Sequence, residues 1–163
     1  EYAFEGSNPV YVAFEADSQL HTIGVQAFYG IGITSITIPR TVSLIAEQAF
    51  GECNDLQNVI FEADSQLHTI GQAAFLNTRI TSITIPSTLS LIDTNAFEGC
   101  SQLEYVSFSS DSNSNIDNGG MTLKNSLFGG NHLQSIFIPS TVTAIDPDAF
   151  GSEASFTVYI DNS

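Results

Sequence analysis

The chain has 163 residues, 42% of them hydrophobic, which is enough to bury a sizeable core within one domain. It carries 18 acidic side chains against 3 basic ones, Arg40, Arg79 and Lys124, for a net charge of −15. Nucleic-acid binding needs Lys and Arg to neutralise phosphates, so this charge argues against a nucleic-acid partner and against anionic membrane surfaces. The sequence also lacks the long apolar run that inserts directly into a membrane.

Two segments of the chain recur without change. FEADSQLHTIG occurs at 14–24 and at 61–71, and ITSITIP occurs at 33–39 and at 80–86, both with an offset of 47 residues. The dipeptide Ala-Phe divides this period in two. Periods of about 20–50 residues are typical of solenoids, in which each unit stacks on its neighbours.

Taken in chain order, the sequence predicts seven coils. A shortened strand at Val10–Phe14 comes first, and a degenerate strand at Phe156–Ile160 comes last. Between them, five strand patterns place apolar residues three and five positions after a Leu or Ile. These patterns begin 23, 24, 23 and 30 residues apart, at Ile33, Leu56, Ile80, Leu103 and Leu133.

Each repeat predicts one strand followed by a turn. Side chains two apart in a strand share a face, so the last two apolar residues of ITSITI point to one side. Pro39, Pro86 and Pro139 end three of the strands, because proline cannot donate to a ladder. The following stretch, such as Thr41–Phe50, spaces its apolar residues three to four apart, which suits a helical turn or loose coil.

The phenylalanines follow the same register. Of 12, seven are the second residue of the Ala-Phe marker or its Leu-Phe variant, and Phe14, Phe61 and Phe108 end alternate strands. An aromatic ladder of this kind could hold a ligand. Its match to the core positions instead favours a packed spine inside the solenoid.

The repeat string L-x-x-I-x-I-P-x-x-V/L-x-x-I-x-x-x-A-F-x-x-C-x-x-L resembles the leucine-rich repeat of the BspA-like type. Residues 33–56 and 80–103 match it almost throughout, and 133–156 lacks the cysteine. The resemblance implies a leucine-rich-repeat solenoid of about seven coils of roughly 23 residues, as one domain over residues 1–163. It implies a parallel β-sheet on one face, with short helical or irregular turns on the other. Because the chain opens inside a repeat, we expect its N-terminus to be truncated.

One polar insertion interrupts the repeat at residues 109–120. Alternate positions of this insertion carry side chains with oxygen atoms, which is the arrangement that calcium prefers. An EF-hand, however, would have Gly in place of Ile116 and Glu in place of Thr122. Both a calcium site and a polar loop without metal therefore stay open. The candidate calcium ligands are Asp111, Asn113, Asn115 and Asp117. We expect no other cofactor.

The two cysteines, Cys53 and Cys100, occupy one repeat position two coils apart. Stacked strands would place them about 9.6 Å apart, too far for a disulfide, so we expect two buried thiols. The equivalent carboxylates Glu15 and Glu62 would have a similar separation, close to that of inverting glycosidases. They lie in turns that we expect to be solvated, which cannot raise a carboxyl pKa as acid catalysis requires, so we predict no enzyme.

The three histidines do not form a metal site in the predicted fold. His21 and His68 are repeat equivalents about two coils apart, and His132 lies at another repeat position. Metal ligands must converge on one ion, so we expect these side chains on turns or at the surface.

The outward side of the predicted strands is rich in Ser, Thr and Asn and almost uncharged. Regular threonines are also found in ice-binding arrays, but here only alternate coils carry them. Ile60, Tyr105 and Phe137 are apolar or aromatic exceptions that could anchor a protein. The predicted partner-binding residues are Asn58, Ile60, Tyr105, Ser107, Ser135 and Phe137.

These observations predict a non-catalytic protein-interaction module. Members of the family that the repeat resembles are often secreted or surface proteins, and some are adhesins, so we expect an extracellular or cell-surface location. The alternative is a structural or accessory subunit docked on a larger assembly. Open strand edges at the ends would also permit end-to-end stacking.

Overall fold

The computed structural model describes residues 9, 11–109, 120–151 and 155–161, which form twelve strands. Six longer strands are β2 (Ser35–Ile38), β4 (Asn58–Phe61), β6 (Ser82–Ile85), β8 (Tyr105–Phe108), β10 (Ser135–Ile138) and β12 (Thr157–Ile160). The other strands alternate with them: β1 (Thr22–Ile23), β3 (Leu44–Ile45), β5 (Thr69–Ile70), β7 (Leu91–Ile92), β9 (Met121–Leu123) and β11 (Val142–Ile145).

All strand pairs are parallel, and the chain winds through about five turns. The second set of strands forms one six-stranded sheet in the order β1-β3-β5-β7-β9-β11, here called the short-strand sheet. The longer strands form the long-strand side, divided into β12-β10-β8-β6 and β2-β4. The solenoid class is confirmed, and the predicted count of seven coils is too high.

Part of the difference in count comes from the first predicted coil. Residues 11–14 form no strand, although the ring of Phe14 packs edge-on against Phe28 with centroids 6.4 Å apart. The degenerate last strand is confirmed, because β12 pairs in register with β10.

The stretch Thr41–Phe50 also differs from the prediction of a helical turn or loose coil. It contains β3, in which Leu44 is half-buried and Ile45 buried, so two residues suffice to continue a second sheet. The next segment turns the chain through Gln48, whose φ is 51°. Its backbone remains regular, because the Phe50 N–H donates to the Ala74 carbonyl at 2.8 Å. Hydrogen bonds between coils therefore satisfy backbone groups on this side as well.

The predicted aromatic spine is present inside the coils. Successive rings lie nearly parallel, with centroids 5.1–5.8 Å apart and interplanar angles of 12° or less. The spacing is close to the roughly 4.8 Å between strands, so each coil contributes one ring. The stack consists of Phe28, Phe50, Phe75, Phe97, Phe128 and Phe150.

Both cysteines are free and buried, as predicted. The Cys53 thiol donates to the Phe28 carbonyl at 2.9 Å, and the Cys100 thiol donates to the Phe75 carbonyl at 3.2 Å. Desolvation by burial raises the pKa of each thiol from the ordinary 9.0 to about 11. The thiols thus join neighbouring coils as neutral donors.

We expect Phe75→Ala to lower the free energy of unfolding by about 3–5 kcal/mol, because it removes a fully buried ring and leaves a cavity. Urea unfolding followed by circular dichroism measures this loss. The control is Phe137→Ala, whose ring is exposed and whose loss should cost less than about 1 kcal/mol. Equal losses in the two variants would contradict the spine as a source of stability.

We also expect the buried thiols to make stability fall in alkaline solution. Because folding raises the thiol pKa, the folded state holds a proton that the unfolded state loses, so stability declines as pH rises from 9.0 to about 11. The decline should approach roughly 2–3 kcal/mol per thiol.

The measurement compares urea unfolding of the native chain and of Cys53→Ala/Cys100→Ala at about pH 8 and about pH 10.5. The variant should lose less stability between the two conditions, whatever its stability at the lower pH. The same alkaline loss in both proteins would show that the thiols are not its source.

Candidate functional site

The long strands place outward side chains side by side on neighbouring coils. Tyr105 on β8 pairs with Ser82 on β6 and with Ser135 on β10. Two residues further along the strands, Phe137 on β10 pairs with Tyr159 on β12. Outward residues of successive strands are therefore direct neighbours on one surface.

Three aromatic side chains on this surface, Tyr105, Phe137 and Tyr159, are here called the aromatic patch. They are 49%, 42% and 56% exposed, whereas the intervening Val106 and Ile136 are buried. This alternation is what a strand with one buried face requires. The predicted exposure of Tyr105 and Phe137 is confirmed, and their role in binding stays a prediction.

Hydrogen bonds between side chains hold one edge of the patch. The Tyr105 hydroxyl donates to Gln134 Oε1 at 2.7 Å, and Gln134 Nε2 donates to Glu104 Oε2 at 2.9 Å. These bonds join β8 to the strand beside it and restrict the Tyr105 ring. They also place a carboxylate next to the aromatic surface.

The basic side chains lie away from the patch. Arg40 follows β2, Arg79 precedes β6, and Lys124 follows β9. Arg79 is 4.0 Å from Asp55, and both side chains are 60% exposed, so this ion pair contributes little stability. Within the described residues, Glu104 borders the patch and no basic side chain belongs to it.

The structure divides the six predicted partner-binding residues into two groups. Tyr105, Ser107, Ser135 and Phe137 lie on the adjacent strands β8 and β10. Asn58 and Ile60 lie on β4, with β6 between them and β8. Asn58 and Ile60 are exposed, and Ser135 is half-buried.

Sequence reasoning missed Tyr159. The signal was present, because aligning the degenerate copy Phe156–Ile160 with the strand before it puts Tyr159 beside Phe137. Sequence reasoning also did not identify Val158 and Ile160, which are 43% and 62% exposed. They face inward by register, but among the described strands none covers β12.

The candidate calcium ligands, Asp111, Asn113, Asn115 and Asp117, lie outside the described residues. Elsewhere, in the part of the chain that the structure describes, no group of three or more His, Cys, Asp or Glu side chains could hold a metal.

The three histidines, His21, His68 and His132, lie exposed on turns, each with Nδ1 within 3.1 Å of a backbone carbonyl. They are well separated along the solenoid, as the sequence predicts.

The paired carboxylates Glu15 and Glu62 show no catalytic arrangement. Glu15 is exposed, and Glu62 accepts a hydrogen bond from the Arg40 backbone N–H at 3.0 Å. Neither group has the deep burial that would make it a general acid.

The described residues contain no helix that is long and apolar enough to cross a membrane. No protein with a curated description matches the chain.

Among solved structures, the pneumococcal vaccine antigen PcpA superposes with a TM-score of 0.75 at 22% identity, over 88% of this chain and 36% of that one. A leucine-rich repeat protein of Bacteroides ovatus superposes with a TM-score of 0.52 at 24% identity, over 90% of this chain and 46% of that one. The chain thus spans less than half the length of either protein, and the likeness shows a shared fold.

The repeat pattern gives a more specific result. Residues 21–157 match the BspA type leucine-rich repeat region in six copies, which covers most of the chain. This range contains the strands β1 to β11 and the first residue of β12, Thr157. The chain belongs to the BspA-type leucine-rich repeat family.

Proposed function

We propose that the chain is a non-catalytic protein-interaction module that binds its partner through the aromatic patch. The observation that supports this most strongly is the grouping of three exposed aromatic side chains on neighbouring strands. Aromatic side chains dominate the binding energy of protein interfaces, and those held on strands lose little freedom on binding.

The neighbours of the patch support the same function. Ser107 and Ser135 are small polar residues beside the aromatic rings, which suits the polar surroundings of an interface anchor. The Glu104 carboxylate and the net charge of −15 favour a partner with a basic surface. We therefore expect binding to weaken as salt concentration rises.

We place the protein at the cell surface or outside the cell, in an adhesin-like role. Two considerations support this location: members of the family are often surface proteins, and the similar solved structure PcpA is a vaccine antigen of pneumococcus.

A structural role is the second candidate, in which the chain is a subunit docked on a larger assembly. It is favoured by Val158 and Ile160 on β12, which are exposed although their register places them on the inward face. An uncovered strand edge pairs readily with another chain, including a second copy. This role predicts association through the end of the solenoid and not through its face.

We expect Tyr105→Ala/Phe137→Ala to abolish capture of one specific partner in a pull-down from the native source. The loss follows because truncating two interface anchors should cost at least about 2 kcal/mol each. Thr37→Ala on β2 is the matched control, since it changes an outward residue of the other part of the long-strand side. A third bait, Asn58→Ala/Ile60→Ala, tests whether the interface extends to β4.

Capture of the same partner by the double variant and by the native chain would contradict the proposal. If all baits retain one large assembly, the structural role is correct instead. Repeating the capture with a calcium chelator separates a third outcome, because loss on chelation alone would assign binding to a metal site such as the one predicted at residues 111–117.

A further inference from the structure

The long-strand side is interrupted between β4 and β6. Backbone bonds cross this boundary before the strands begin, from the Arg79 N–H to the Leu56 carbonyl at 3.0 Å and from Thr81 to Gln57 at 3.4 Å. Beyond that point β4 and β6 remain in contact but belong to different sheets. By contrast, β2 pairs with β4, and β6 with β8, over four residues each.

The coil that contains β4 is longer than the next one, although this alone does not separate strands, because β2, whose coil is also shorter, pairs fully with β4. Nine positions separate Phe61, at the end of β4, from Ile70 in the short-strand sheet, whereas seven separate Ile85, at the end of β6, from Ile92. The extra residues form a turn in which Asp64 has a φ of 57°. The short strands β5 and β7 stay paired, so the separation is confined to the long-strand side.

A cavity of about 350 Å³, here called the crevice, lies at this boundary. Its volume falls within the roughly 300–1,000 Å³ of small-molecule sites. Apolar groups from Ile60, Phe61 and Pro86 form part of its lining. The crevice thus lies where the pairing of the long strands is interrupted.

The polar part of the lining is rich in hydroxyl and amide groups. It includes Asn58, Ser65, Ser82 and Thr84. Asn58 and Ser82 have no side-chain hydrogen-bond partner in the described part of the chain, and the Thr84 hydroxyl lies 3.1 Å from Ser107 Oγ. These groups both donate and accept hydrogen bonds, which suits a ligand that does the same.

The charges of the lining narrow the ligand class. None of the described residues that line the crevice is Lys, Arg or His, so none of them would compensate an anion. The carboxylate among them, Glu62, already accepts the Arg40 backbone N–H, and one carboxylate does not provide the ligand number that a divalent cation requires. A neutral compound with several hydroxyl groups and an apolar face matches both the polar groups and the apolar groups of the lining, and it needs no compensating charge.

We propose that the crevice between β4 and β6 binds a neutral sugar. Its hydroxyl groups bond to Asn58, Ser82 and Thr84, and its C–H face packs on Ile60 and Phe61. The crevice lies between β4 and β6, whereas the aromatic patch lies on β8, β10 and β12. The two surfaces are neighbours, because Ser82 pairs with Tyr105, but the sugar site does not require the proposed protein partner.

The experiment is saturation-transfer NMR and titration of the purified chain with glucose, galactose, mannose and N-acetylglucosamine, with glucuronate as the anionic counterpart of glucose. At least one neutral sugar should bind, and glucuronate should bind more weakly than glucose. Thr84→Val and Asn58→Ala should each weaken binding about three- to tenfold, the effect of losing one neutral hydrogen bond.

Thr37→Val is the matched control, because Thr37 and Thr84 occupy the same position of the identical segment ITSITIP while Thr37 faces a paired strand. It should bind the sugar like the native chain. Thermal melting confirms that Thr84→Val and Thr37→Val fold equally well.

Three results would overturn the proposal: no binding of any neutral sugar, equal binding of glucose and glucuronate, or equal weakening by Thr84→Val and Thr37→Val. Phe137→Ala should leave sugar binding unchanged, because Phe137 lies on β10, two strands from β6. A failure of partner capture would therefore overturn the proposed function without overturning the sugar site. A failure of sugar binding would overturn the sugar site without overturning the proposed function.

Discussion

The stacking of identical positions from coil to coil is the constraint on which the rest of this structure depends. Each coil is too small to bury its apolar residues alone, so it is stable only when its phenylalanine ring lies on the ring of the next coil. Backbone hydrogen bonds impose the same register, as between Phe75 and Ala96 at 2.8 Å. Inward positions therefore tolerate little change, whereas outward positions are released from this requirement and can vary with function.

The same constraint explains why one side of the solenoid carries both candidate sites. The short-strand sheet is continuous through six strands, so it sets the spacing of the coils. Breaks in pairing therefore lie on the long-strand side. There β4 parts from β6. In the same way β8, which the insertion follows in the chain, pairs with β10 over only two residues. Where consecutive strands stay paired, as β10 and β12 do, the surface is flat enough to present Phe137 and Tyr159 together.

Most of the fold follows from the sequence because its repeat is identical at the positions that stack. The period, the strand ends at Pro39 and Pro86, the aromatic spine and the separated thiols were all predictable. The short strands were not, because two residues such as Leu44–Ile45 carry too little pattern to be distinguished from a helical turn. The break between β4 and β6 was also hidden, since the segments that form it look as regular as their copies. The exposure of Tyr105 was predictable because inward and outward side chains alternate along a strand. Tyr159 was missed because its coil departs from the consensus sequence of the repeat.

Departures from the repeat are better indicators of function here than the repeat itself. The segment ITSITIP occurs on β2 and again on β6, and its outward residues are Ser and Thr both times. Packing does not require these residues to differ, yet β8, β10 and β12 replace them with Tyr105, Phe137 and Tyr159. Exposed aromatic rings add nothing to the core and increase the risk of aggregation, so a stability argument does not account for them. Their clustering at three successive coils is what a binding surface requires, because anchors must lie within one contact area to act together.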